Sequence, residues 1–396
     1  MAKAGRKFEV LVLNQIAQHG LKRFAAERYA LVKEAKAPDV VLVRSHELHG
    51  MDFGANLKAV ARAGAGTNNI PVAELSRRGI PVFNAPGANA NAVKELVLAG
   101  LLIAARNLGP ALDFVRGLGE AGGDLDKRVE DGKKAFAGIE LPGHTLGVIG
   151  LGKIGSLVAD AAIRLGMHVI GYDPEITVDA AWSLPSQVRR AGSIEELLKA
   201  SHFVTLHVPL GEKTRHLVNA KNVELLRPGA ILLNFSREGV VDDEAVLKGL
   251  RGHHLRSYVT DFPSAALVGQ PGVVALPHLG ASTGEAEDNC AIMVADQVRE
   301  YLAHGTMENA VNFPNAQMPR ESPYRLAIAN ANVPNMLASI SQAMGSRKIN
   351  IHNMLNKSKG EMAYTLVDVD SPVPDAALED LRAIQGVLAV RYIPVP

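Results

Sequence analysis

Cysteine is almost missing from this chain: Cys290 stands alone in 396 residues. Intramolecular disulfides are therefore excluded, and so is a metal site built from several thiolates. Aromatic residues are scarce as well, at 5%, and an excess of charge of either sign is lacking, since 42 Lys and Arg face 41 Asp and Glu. A dedicated nucleic-acid surface needs clustered surplus cations, so that class has no support. No apolar run approaches the roughly 18 residues of a membrane-spanning helix. The opening MAKAGRKFEVLVLNQIA pairs basic residues with an apolar run too short for a signal peptide. Repeats and low-complexity tracts are absent. The expectation is a cytoplasmic protein with no membrane or nucleic-acid partner and no metal. Its 47% apolar content, rich in Ala and Gly, fits an α/β protein, and its length allows two or three domains.

The most informative stretch runs from Leu141 to Pro174. A short apolar run ends in Gly150, Gly152 and Gly155, spaced as GxGxxG; helix-periodic residues follow from Ile154 to Leu165, then a second apolar run closed by Asp173. In a dinucleotide-binding turn the first glycine permits the tight bend. The second lets backbone approach the pyrophosphate, and the third lets helix pack on strand. The helix start offers N–H groups and a positive dipole end to the phosphates. Asp173 suits the adenosine ribose hydroxyls and repels a 2′-phosphate, so NAD is favoured over NADP. The bland alternative is a glycine-rich strand–helix turn without a ligand.

Short apolar runs at 8–13, 40–43, 57–63 and 80–83, interleaved with helical patterns at 20–36 and 71–78, predict a flavodoxin-like parallel sheet. Ligands of such sheets lie beyond the C-terminal strand ends, where Arg44, Arg62 and the loop 84–91 fall. Residues 117–140 read as a loop or lid carrying Lys133 and Lys134. Beyond Asp173, helices are expected at 193–199, 220–226 and 242–250, and strands at 203–208, 230–234, 257–260 and 273–276. A long helix, 283–304, precedes a Pro/Asn/Gly-rich linker over 305–322. The final segment reads strand, helix, strand, strand, helix, strand, a ferredoxin-like βαββαβ order.

With GHTLGVIGLGKIG (143–155), NFSREGVVDDEAV (234–246), LPHLGASTGEAE (276–287), ARAGAGTNNI (61–70) and NAPGANANAVKEL (84–96) in view, the chain resembles the D-2-hydroxyacid dehydrogenases, in their phosphoglycerate-oxidising branch. The resemblance implies two Rossmann-like or flavodoxin-like parallel-sheet domains and a C-terminal ACT-like domain. Their expected bounds are 1–92 with 285–318 for substrate, 93–284 for NAD and 319–396 for the ACT-like module. It implies NAD contacts at Gly150, Gly152, Lys153, Ile154, Gly155, Asp173, Ser236, Arg237, Asp261, His278, Gly280 and Ala281. His278 is implied as the base, an imidazole being suited to proton exchange near neutrality. Arg237 is implied as the carboxylate-binding cation.

The family's histidine is usually partnered by a glutamate within Asp-Val-Phe-x-x-Glu-Pro; here Thr260 to Leu267 reads TDFPSAAL, without one. Lys94, on the first turn of a helix, is a candidate to compensate; a solvated helix lysine is the plain alternative. Arg44, Arg62, Gly87, Asn89 and Lys133 are expected to bind the substrate, 3-phosphoglycerate. Asn330, Asn332 and Asn350 resemble an L-serine effector site, although a purely structural module explains the tail as readily. The resemblance also implies a homodimer or homotetramer. Two other functions stay open: a reductase of glyoxylate, hydroxypyruvate or 2-oxoglutarate, and an NAD-sensing binding protein without turnover.

Overall fold

The computed structural model describes residues 6–119 and 124–395, in two compact units: 1–88 with 284–396, and 89–283. The first unit begins with β1 (Phe8–Val12), α1 (Gln18–Leu21), β2 (Tyr29–Val32), β3 (Val40–Val43), β4 (Ala59–Arg62), α2 (Val72–Arg77) and β5 (Val82–Phe83). The strands are parallel in the order β2-β1-β3-β4-β5, the flavodoxin-like order that the alternation of apolar runs predicts. Residues 20–36 are not the expected helix. Phe24 and Tyr29 are buried as a turn and the start of a strand, and Tyr29 to Val32 pair in parallel with Phe8 to Leu11. Their apolar spacing reflects tertiary packing on the core, not a helical face.

The second unit contains α3 (Ala90–Ala105), α4 (Leu108–Leu118), α5 (Leu125–Gly132), β6 (Thr145–Ile149), α6 (Lys153–Arg164), β7 (His168–Tyr172), α7 (Val178–Trp182), β8 (Arg189–Arg190), α8 (Ile194–Ala200), β9 (Phe203–Leu206), β10 (Ala230–Asn234), α9 (Asp243–Arg251), β11 (Leu255–Thr260) and β12 (Val273–Ala275). Its seven strands run β12-β11-β10-β9-β6-β7-β8, the doubly wound order of dinucleotide-binding sheets. The order reverses between β6 and β9, and ligands of such sheets bind at that reversal. Ser193 caps α8 as its sequence suggests, accepting from Glu196 N at 3.2 Å.

The expected loop at 117–140 is a correction: residues 120–123 lie outside the described residues, and most of the rest is helical. Asp124 caps α5 by accepting from Lys127 N, and one 3-10 turn, Lys133–Phe136, follows. Phe114 of α4 packs at a tilt against Phe136, 5.2 Å between centroids, so glycine and charge here belong to a helical lobe. The expected helix at 220–226 shrinks to a single 3-10 turn, Val223–Leu225.

The first unit resumes with α10 (Gly284–His304), β13 (Tyr324–Ala331), α11 (Met336–Ser346), β14 (Ile351–Lys359), β15 (Met362–Val369), α12 (Asp375–Ala383) and β16 (Val387–Pro394). The antiparallel order β14-β15-β13-β16 is that of a ferredoxin-like sheet. This segment, expected as a domain of its own, shares a core with the rest of its unit. Leu326, Ile328, Val367 and Val369 face α11 and α12, while Ala327, Ala329, Tyr364 and Leu366 face Val298, Tyr301 and Leu302 of α10. The small Ala residues let helix and sheet approach closely. Tyr364 donates to Gly305 O at 2.8 Å, and the Arg391 guanidinium lies 4.3 Å over the Tyr301 ring.

Candidate active site

In the second unit the glycine turn takes the form its spacing predicts. Gly150 has φ +89°, which favours glycine, and a Cβ there would meet His207 O at 2.5 Å. A Cβ on Gly155 would collide with Gly150 O, whereas a Cβ on Gly152 would meet nothing within 4 Å. The outer glycines are therefore demanded by the protein's own packing. The middle one keeps the backbone bare on the open side, at the start of α6, where Lys153 and Ile154 lie. Asp173 is fixed there: its carboxylate accepts from Leu151 N at 2.9 Å and Glu175 N at 3.0 Å. Lone pairs remain on both oxygens. A cleft of about 730 Å³ is lined by Gly150, Gly152, Tyr172, Asp173, His207 and Thr214, among others. That volume, the bare Gly152 backbone and the half-buried carboxylate fit an adenosine diphosphate moiety. Replacing Asp173 by Ala is expected to weaken NAD binding about 10- to 100-fold, the worth of one or two hydrogen bonds to a charged group. It should narrow the preference over NADP, as fluorescence titration with both dinucleotides would show.

His207 is a residue that sequence reading overlooked. It follows β9 directly, donates its backbone N–H to Ile149 O at 2.7 Å, and shares a hydrogen bond of 3.0 Å between Nε2 and Thr205 Oγ1. Burial pushes its pKa down to about 3, so the ring is neutral beside the glycine turn. Between about pH 6.5 and 3 the unfolded chain holds a proton that the native ring refuses, so His207 costs stability as pH falls through that window.

The segments bearing Arg237, Asp261 and His278 follow β10, β11 and β12. Asn234, 2% exposed at the end of β10, accepts from Ser236 N at 3.1 Å and Ser236 Oγ at 2.7 Å, and donates to Arg237 O at 3.0 Å. Arg237 is thereby held on a tight turn with its guanidinium exposed, donating to Ser236 O at 2.6 Å. Asp261, also 2% exposed, directly follows β11. Its carboxylate accepts from Leu279 N at 2.7 Å and Gly280 N at 2.8 Å, and its carbonyl from His278 N at 3.1 Å. His278 has φ +57° and an exposed ring that packs against Phe262, 5.0 Å between centroids. Asp261 thus fastens the loop bearing His278, Gly280 and Ala281, a role its position as an implied nicotinamide contact did not suggest. Among the described residues no carboxylate forms an ion pair with His278, in line with the missing glutamate.

Val93 of α3 packs against this loop, a Cβ on Gly280 lying 3.4 Å from Val93 Cγ2. Lys94 is the next residue. Its ammonium donates to Asn91 Oδ1 at 2.6 Å and lies 3.8 Å from Glu95, with the side chain 21% exposed. Asn89, the N-cap of α3, shares that turn. Lys133 pairs with Glu130 on the helical lobe, so it is not on a lid-like loop.

In the first unit, Arg44 and Arg62 end or follow β3 and β4 side by side. Arg62 Nε donates to Arg44 O at 2.9 Å, and Arg44 pairs with Glu287 at 2.8 Å. The loop holding Gly87 is tied in through Ala85 N, which donates to Gly64 O at 2.9 Å. Cys290 is buried and its thiol pKa raised by burial, the reading of an inert structural thiol. In the C-terminal sheet, Asn330 and Asn332 line a cavity of about 220 Å³ with Asn335 and Asn356. Asn350 is not brought there; it pairs with Asp370 instead. Asn335 takes φ +68°, a left-handed conformation that Asn tolerates better than most residues.

Comparison with known proteins identifies this arrangement. Residues 108–280 match the family model described as D-isomer specific 2-hydroxyacid dehydrogenase, NAD binding domain. A D-3-phosphoglycerate dehydrogenase of Methanocaldococcus jannaschii is 38% identical over 74% of this chain and 54% of its own length, so this chain spans about half of that relative. One from Escherichia coli is 33% identical over 83% of this chain and 79% of its own length. The NAD+-bound 3-phosphoglycerate dehydrogenase of Entamoeba histolytica superposes with a TM-score of 0.60 at 25% identity, covering 77% of this chain and 99% of that one. The glycine turn, Asp173, Arg237, Asp261 and His278 all fall inside the matched NAD-binding domain, and the chain belongs to the D-3-phosphoglycerate dehydrogenase family of D-2-hydroxyacid dehydrogenases.

Proposed function

We propose that this protein oxidises 3-phospho-D-glycerate to 3-phosphohydroxypyruvate with NAD, the entry step of L-serine synthesis from that acid. The observation that carries the reading is the pair of fastened loops, Asn234 holding Arg237 and Asp261 holding His278, at neighbouring strand ends of a dinucleotide-binding sheet. NAD, when bound, supplies the hydride acceptor. Arg237 grips the substrate carboxylate and polarises the carbon beside it. His278 takes the proton of the 2-hydroxyl as the C–O bond becomes a carbonyl, and passes it to solvent through its exposed ring. Ser236, Gly280 and Ala281 orient the nicotinamide end, and Arg44, Arg62 and the Gly87 backbone hold the phosphate.

Lys94, held by Asn91 and Glu95, compensates for the absent glutamate in another way, as a second cation for the charge of the substrate. One experiment tests both points: NADH formation from 3-phosphoglycerate, glycerate and lactate by the wild type and by Lys94→Ala. The phosphorylated acid should be preferred by at least tenfold in kcat/KM, and the variant should lose about tenfold with a displaced pH profile. Equal use of the three acids overturns the substrate, and an unchanged variant overturns the role of Lys94.

L-serine, sized for the 220 Å³ cavity beside Asn330 and Asn332, is the proposed effector. Unchanged initial rates at millimolar serine would remove it. Leu108, Leu112 and Val115 form an exposed apolar stripe on α4, 41%, 58% and 58% exposed, which supports a homodimer or homotetramer. Leu112→Glu with Val115→Glu should reduce the mass seen in sedimentation to that of one chain. A monomeric wild type sinks the assembly. The lone buried thiol agrees with a reducing, cytoplasmic setting, which fractionation of cells expressing the tagged chain would check.

A further inference from the structure

A histidine acts as a base only when its imidazole points at the proton it must take, and a carboxylate on the far ring nitrogen is a common means of aiming it. Among the described residues His278 has no such partner. Its ring meets an aromatic wall instead: Phe262, 5.0 Å between centroids and inclined by 58°, within the range of favourable ring pairs. That wall is fixed from several sides. Asp261, the residue before it, is buried and bound to Leu279 N and Gly280 N, and Phe262 N donates to Thr260 Oγ1 at 3.1 Å. Pro263 follows and keeps Phe262 out of the helical region. Further on, Ser264 Oγ donates to Asp243 at 2.7 Å, and Leu267 is fully buried. The backbone of His278 is tied to Asp261 O, so the freedom left to its ring lies in χ1 and χ2. An imidazole without a neighbour divides itself among about six orientations, roughly three about χ1 and two about χ2. The Phe262 ring closes off those that would pass through it.

We propose that Phe262 is the positioning residue of this site: its ring takes the place of the missing carboxylate and aims the His278 imidazole. The inference rests on the reading of His278 as the base. The two means of aiming differ in what they leave behind. A carboxylate occupies one ring nitrogen and so selects the tautomer. An aromatic wall sets direction alone, leaving one nitrogen for the substrate hydroxyl and the other for water. The proton taken at the first nitrogen is matched by one released from the second, with no ion pair to break.

The test compares the full-length wild type with Phe262→Leu, which keeps an apolar contact but loses the flat wall, and Phe262→Tyr, which rebuilds it. NADH appearance from 3-phosphoglycerate is followed in a single turnover, so that product release does not mask the proton step. Phe262→Leu should slow it about three- to sixfold, the share of orientations released. KM for the acid and the affinity for NAD should stay within about twofold, because neither is held by this ring. Phe262→Tyr should return most of the rate. Should Phe262→Leu fail to fold, Phe262→Met, which fills the space without a flat face, carries the test with the same expected loss. An undiminished rate in the folded variant overturns the proposal, as does a loss that Phe262→Tyr does not restore or one that falls on KM alone. A wild type that oxidises glycerate or lactate but not 3-phosphoglycerate overturns only the substrate, and the same comparison on that acid then decides the role of Phe262. A wild type that oxidises none of them overturns both.

Discussion

Replacing His278 by Asn is expected to lower kcat/KM for the 2-hydroxy acid by about 10²- to 10⁴-fold, the range of a positioned acid–base group. Asparagine is the informative substitute. His278 sits at φ +57°, where a residue such as alanine adds roughly 1–2 kcal/mol of backbone strain, while Asn is among the residues that enter this region readily. The loop should therefore keep its shape, since its anchors are the Asp261 carboxylate and the backbone of Leu279 and Gly280, none of them in the histidine ring. NAD affinity should stay within about twofold by fluorescence titration, so that the loss is one of chemistry. A variant keeping more than a tenth of the wild-type efficiency would move the base elsewhere, with Lys94 the first to examine.

The largest effect on stability is expected at Arg325, which is 1% exposed beside Asp368 at 0%. A guanidinium has five N–H donors, and this one places all of them. Nε donates to Asp368 Oδ1 at 2.6 Å and Nη2 to Oδ2 at 2.8 Å; the remaining bonds go to the carbonyls of His304, Met318 and Pro319. Arg325→Met strands a buried carboxylate and three carbonyls. Breaking a buried pair in this way costs about 3–5 kcal/mol, a lowering of the melting temperature by roughly 6–20 °C for a unit of this size. Arg325→Met with Asp368→Leu should recover only part of that loss, because the carbonyls stay unpaired. Circular-dichroism melts decide it, and a double variant no better than the single one would show that the stranded carboxylate is not the main cost.

Much of the cofactor half was legible because its information is local. Gly150, Gly152, Gly155 and Asp173 answer to rules of backbone conformation and close approach that act within one strand–helix–strand unit. The fastening of the loops that bear Arg237 and His278 was not legible. Asp261 binds backbone amides well along the chain from it, and Asn234 acts through a turn whose hydrogen bonds the residue types do not reveal. The helix expected at 20–36 failed for a similar reason, since Phe24 and Tyr29 are spaced by the core they meet. Residues 124–136 were misread from composition, although Asp124, a good cap, stands at their start. A usable clue was present in β13. Leu326-Ala327-Ile328-Ala329 is apolar on both faces, which a sheet open to water on one side does not need.

That two-sided burial bears on how the chain can be cut and recombined. The face formed by Ala327, Ala329, Tyr364 and Leu366 is completed by α10, and Arg325 borrows acceptors from the end of that helix and from the connecting segment. The tail is thus not a portable cassette. Trimmed away, it would leave Tyr301 and Leu302 bare to water; grafted onto another enzyme, it would carry an unsheathed apolar face and a guanidinium short of carbonyls.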